Sequence, residues 1–158
     1  MRSITRRLAG VALVGAFLLT WGANTDRDVV GAQAPKPIMA TRIYTGTDGQ
    51  SHAEEVELAA GTLMNATSVQ FNRAPAGRFS DWHVGPRRQF VITLSGRGEI
   101  ELAGGRKIQM QPGHINLIED TTGKGHTTRV LAGEDRVTIS IPLTDQTVTR
   151  GPTVRSSR

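Results

Sequence analysis

The chain contains no cysteine. A disulfide framework and a thiolate metal centre are both excluded, so any metal must use imidazole, carboxylate or amide ligands. Aromatic side chains are scarce, with four Phe, two Trp and one Tyr among 158 residues. Nucleic-acid faces interleave aromatics with basic side chains, and so few rings argue against such a partner. No apolar run reaches the roughly 20 residues that a membrane-spanning helix needs. Amphipathic helical periodicity is nearly absent as well, which argues against a helical core.

The formal net charge of +5 and pI near 10.7 suggest a basic protein, but the surplus lies at the two ends. Residues 35–146 hold 12 Lys and Arg against 12 Asp and Glu, so the body is formally neutral. At the start, Arg2, Arg6 and Arg7 precede the apolar stretch Leu8–Trp21, which Ala32-Gln33-Ala34 follows after an interval. A positive head, a short apolar segment and a small-x-small site are the parts of an export signal. Thr5-Arg6-Arg7-Leu8 weakly resembles a twin-arginine signal. Residues 1–34 are therefore expected to form a signal helix and direct the protein to the periplasm or the exterior. Membrane contact is expected only if that segment stays uncleaved as an anchor. Residues 35–146 are expected to form one domain, and residues 147–158, polar and Arg-rich, a disordered basic tail.

Within the body, turn residues recur at short intervals. Ten strands are expected at 40–46, 54–59, 63–73, 78–84, 88–95, 98–103, 106–111, 115–119, 127–131 and 136–142. Many short strands with regular turn signals specify an all-β sandwich or barrel. Gln89-Phe90-Val91-Ile92-Thr93-Leu94 alternates polar or small with large apolar residues, dividing the two sets between opposite faces. Ser95-Gly96-Arg97-Gly98 reads as a hairpin turn, with Glu99-Ile100-Glu101-Leu102 as its return strand.

The segment Trp82-His83-Val84-Gly85-Pro86-Arg87-Arg88-Gln89, continuing to Gly96, resembles the first cupin motif. His83 stands at that motif's first His, Gly85 at its second His, Gln89 at its Glu and Gly96 at its closing Gly. Pro112-Gly113 and His126 resemble the second motif, with a longer connection. Glu119-Asp120-Thr121-Thr122-Gly123-Lys124-Gly125-His126, the Trp-His and Pro-Arg-Arg-Gln stretches, and Asp48-Gly49-Gln50-Ser51-His52 resemble a branch of small RmlC-like cupins. The resemblance implies a cupin-type antiparallel β-barrel, the double-stranded β-helix or jelly roll, with motif side chains pointing inward. It is weak for the reaction, because cupins host many chemistries.

In that frame His83 and His126 are the candidate catalytic residues, as neutral imidazoles that act as general bases near neutral pH. Arg87 or Arg88 is expected to anchor a carboxylate or phosphate, with Gln89, Thr93, Lys124 and His52 as further ligand contacts. His83, Gln89 and His126 form the candidate metal set for a divalent transition ion. That set is weaker than the family's, since glycine donates nothing and Gln89 carries no charge. Glu119 and Asp120 are expected to be solvated or paired with Lys124, and His114 to serve its turn. Several readings stand open: a protein that binds a small polar or anionic molecule, with or without transforming it; a loosely metal-binding oxidoreductase or isomerase; a binding module without turnover; and a structural role in a homodimer.

Overall fold

The alternation in Gln89–Ser95 divides residues between two environments. Gln89 and Val91 face a cavity, while Phe90 joins Leu117 and Leu143 in a cluster on the other side of the sheet. The structure, a computed structural model, describes residues 35–147. The signal helix expected at 1–34, and all but the first residue of the tail expected at 147–158, lie outside the described residues.

Ten strands form: β1 (Ile38–Thr45), β2 (Ser51–Leu58), β3 (Gln70–Ala74), β4 (Phe79–His83), β5 (Gln89–Ser95), β6 (Gly98–Glu101), β7 (Lys107–Met110), β8 (Ile115–Glu119), β9 (His126–Val130) and β10 (Arg136–Pro142). A six-stranded sheet has the order β2-β1-β8-β5-β10-β3, and a four-stranded sheet the order β4-β9-β6-β7. Apart from one 3-10 turn at Ala103–Gly105, the described residues contain only strands and loops. The fold class is all-β.

The sheets are antiparallel as expected except for one pair, since β1 runs parallel to β8, Thr41 opposite Asn116 and Ile43 opposite Ile118. Parallel neighbours require a long crossover, and strands β2 to β7 lie between these two in the chain. Ser95-Gly96-Arg97-Gly98 is not a hairpin turn. It carries the chain from β5 in the large sheet to β6 in the small one, and Gly96 takes a positive φ while packed against the Asp135 backbone. The third strand begins at Gln70, not Leu63. The preceding segment joins the end of β10 through an isolated bridge, Ala66 opposite Leu143.

Apolar side chains fill the space between the sheets. Ile43, Ala53 and Ile118 of the large sheet meet Ile100, Leu102, Ile108 and Met110 at and beside β6 and β7. Burying such side chains stabilises the fold by about 1.5–3 kcal/mol each.

Candidate functional site

Beside that core the two sheets leave a cavity of about 150 Å³. The large sheet contributes Gln89 and Val91 from β5, Asn116 and Ile118 from β8, and Arg136 from β10. The small sheet contributes His83 from β4 and His126 and Thr128 from β9, with Ile100 and Met110 beneath them.

A bulge brings the two imidazoles together. Along β4 and β9, Phe79 lies opposite Arg129 and Ser80 opposite Thr128, yet His83 and not Trp82 lies opposite His126. One extra residue in β4 re-aims the side chains beyond it, and Asp81 braces the bulge by accepting a hydrogen bond from the Trp82 amide at 2.8 Å. The His83 and His126 rings consequently lie 4.6 Å apart between centroids.

Their hydrogen bonds define the tautomers. His83 Nδ1 lies 2.6 Å from the Asp81 carbonyl oxygen, and a carbonyl only accepts, so Nδ1 carries the proton. His126 Nδ1 donates to Asp120 Oδ2 at 2.6 Å, and the Ser51 hydroxyl donates to the same oxygen at 2.8 Å. Asp120 is fully buried, and its Oδ1 has no partner. With both Nδ1 atoms engaged, the Nε2 of each neutral ring holds the free lone pair. A carboxylate behind an imidazole orients the ring and stabilises its protonated form.

Sequence reasoning missed Arg136. Only 8% exposed, it lines the cavity and donates from Nε and Nη2 to the Thr93 hydroxyl at 3.3 and 2.8 Å. Burial pushes its guanidinium down to about 10. Asn116, 1% exposed, was also missed; its Nδ2 has no partner, while its Oδ1 accepts from His114 Nε2 at 3.1 Å. One local signal marks Arg136. That signal is the shared parity of Arg136, Thr138 and Ser140 along one strand, which shows a polar face but not that the face turns inward.

The other expected contacts sit elsewhere. Arg87 is exposed. Arg88 lies among residues 62–65 and 143–145, where it donates to Glu119 Oε1 at 2.6 Å. Neither arginine lines the cavity: Arg88 points the other way from its inward neighbour Gln89, and Arg87 lies in the loop before β5. Thr93 is fully buried and supports Arg136. Lys124 is exposed, with its ammonium 4.4 Å from the centre of the Trp82 ring. His52 is exposed and bonded to Asp48 at 3.0 Å. Glu119 and Asp120 are not solvated, at 2% and 0% exposed. Arg42, Arg88, Ser51 and His126 supply the partners that burial demands.

The residues present do not fit a divalent metal. Among the described residues no three His, Asp or Glu side chains cluster as ligands. A third imidazole has no room at position 85, where a Cβ would overlap the Ile118 Cγ2 methyl. The one formal charge on the cavity lining is the guanidinium of Arg136, which repels a cation in a low-dielectric site. Gly85→His is accordingly expected to lose about 1–3 kcal/mol of stability through overpacking, and to bind zinc no more tightly than the parent. Calorimetric zinc titration and urea unfolding check both. Stoichiometric zinc in this single variant contradicts the steric argument.

No family profile matches the chain, and no curated protein matches it. Among solved structures it is similar to a cupin domain of Bordetella pertussis Tohama I, at 15% identity over 72% of this chain and 100% of that one, with a TM-score of 0.40. A cupin protein of Bacteroides fragilis gives 21% identity over 57% and 76% of the two chains, TM-score 0.35. An RmlC-like cupin protein of Desulfovibrio desulfuricans gives 14% over 83% and 97%, TM-score 0.35.

Proposed function

We propose that the protein is an exported cupin that binds one small polar molecule between its sheets, and that the His83–His126 pair moves a proton on that guest. The observation carrying this reading is the imidazole pair itself, 4.6 Å between centroids, with both Nδ1 protons donated away from the cavity. A carbon next to a carbonyl suits the arrangement. Its proton passes to His126 Nε2, and the C–H electron pair delocalises onto the carbonyl oxygen as an enolate. The imidazolium is held against the Asp120 carboxylate, and the proton then returns from Nε2 to carbon. General base catalysis of this kind contributes about 10²–10⁴-fold.

The test incubates the full chain with small oxo acids and hydroxy acids in deuterated water and follows deuterium entering the carbon next to the carbonyl. Exchange is expected with the parent, with a loss of about 100-fold or more in His126→Ala. Binding without exchange in the parent would favour the binding-module reading and overturn proton transfer. Export is supported by the charge and hydropathy of residues 1–34. Fractionation of cells making the full chain checks it, and a cytoplasmic product overturns it.

A further inference from the structure

We infer that the guest of this cavity is a small carboxylate and that Arg136 is its receptor. This deepens the reading above and rests on it for the guest's location, but not for its charge.

The inference starts from a contrast among three buried guanidinium groups. Arg42 is bonded to both Glu119 and Glu54. Arg88 is bonded to Glu119, with Asp145 at 3.7 Å. Arg136 is buried to the same degree and has no carboxylate within 4.0 Å among the described residues; its partner is the neutral Thr93 hydroxyl. Buried charges are ordinarily paired, because desolvating a lone ion is costly. The unpaired cation is also the one that lines the cavity beside the two imidazoles.

The surroundings specify what completes it. Thr93, itself fully buried, accepts from Nε and Nη2 and so sets the plane of the fork. The remaining N–H groups are left for a planar, bidentate acceptor, which a carboxylate matches. Asn116 lines the same cavity with an uncharged side chain, so no other formal charge competes with Arg136 there. A space of about 150 Å³ is of benzene size. It holds an acid of a few carbons.

The test measures binding to the full chain by calorimetry with acetate, glycolate, pyruvate and 2-oxobutyrate, with the matching amides, and with inorganic phosphate. At least one acid is expected to bind about 30-fold more tightly than its amide, and Arg136→Met to lose about 30-fold for that acid with its amide unchanged. The unfolding midpoint of Arg136→Met is expected to stay level or rise, since an uncompensated cation is removed, which separates lost binding from lost folding. Equal affinity for acids and amides, acid binding retained in Arg136→Met, phosphate outcompeting every acid, or no saturable acid binding would each overturn the inference. His126→Ala separates the two readings. Acid binding that survives in His126→Ala but not in Arg136→Met, with deuterium exchange unchanged in His126→Ala, preserves the receptor and removes the base; acid binding retained in Arg136→Met, with exchange lost in His126→Ala, does the opposite.

Discussion

Glu119→Ala is expected to lower the unfolding free energy by about 3–5 kcal/mol, the largest stability loss we anticipate from one side chain. Glu119 is 2% exposed and uses both carboxylate oxygens. Oε2 accepts from Arg42 Nε and Oε1 from Arg88 Nε, tying β1, β8 and the start of β5 together. Burial works against the charge on Arg42, yet the bonds to Glu119 and Glu54 outweigh it and hold the guanidinium above its ordinary value. Without Glu119, Arg42 keeps only Glu54, and Arg88 keeps Asp145 at 3.7 Å and a backbone carbonyl. Two desolvated cations then lose their shared anion, and that penalty exceeds the modest worth of the intact triad. Guanidinium chloride unfolding checks the value, and a melting temperature lower by roughly 10–20 °C is the thermal counterpart. Glu54→Ala, which removes a more accessible partner of Arg42 alone, is expected to cost about 1 kcal/mol. Equal losses in the two variants would show that the triad is not the organising contact.

How much of this was legible beforehand depends on sequence distance. The parity of β5 is a local property, so Gln89 and Val91 were placed on one face from alternation alone, and the structure puts both on the cavity. The all-β class followed from turn spacing, and all ten strands fall within or across the expected segments. The environment of Glu119 and Asp120 was not legible. Their partners Arg42 and Ser51 lie 77 and 69 residues away, and a local reading of two adjacent carboxylates defaults to solvent. Arg136 escaped for a related reason. Strand β10 alternates polar with apolar residues as a half-exposed strand does, and only its pairing with β5, Thr138 opposite Thr93, reveals that the polar parity faces inward. The turn at Ser95–Gly98 shows the same limit. Glycine chemistry announces a reversal but does not say which sheet the next strand joins.

The glycines of the loop between β8 and β9 carry the second large effect. Gly125→Ala is expected to destabilise the fold by about 2–4 kcal/mol and to disband the imidazole pair. Gly125 has φ +74, a region that costs an L-residue about 1–2 kcal/mol by itself. A Cβ there would also run into the carbonyl of His83 and the amide nitrogen of Val84. These are backbone atoms and cannot rotate aside as a side chain does, so either the loop or the end of β4 must move. The loop is pinned on its other side. The Lys124 amide donates to the Gly49 carbonyl at 3.0 Å, and the Thr45 hydroxyl to the Thr122 carbonyl at 2.8 Å. The displacement therefore falls on His83 and loosens its Nδ1 bond to the Asp81 carbonyl. Gly113 separates the two contributions, since it has φ +85 with nothing within 4 Å of a built Cβ. Gly113→Ala is expected to cost only the conformational term of about 1–2 kcal/mol and to leave the site intact. Urea unfolding compares the energies, and the imidazole N–H proton resonance of His83 reports the geometry. That resonance is expected to weaken or vanish in Gly125→Ala and persist in Gly113→Ala. If it persists in both, the loop does not position the pair, and the approach of Gly125 to His83 plays no part in building the cavity.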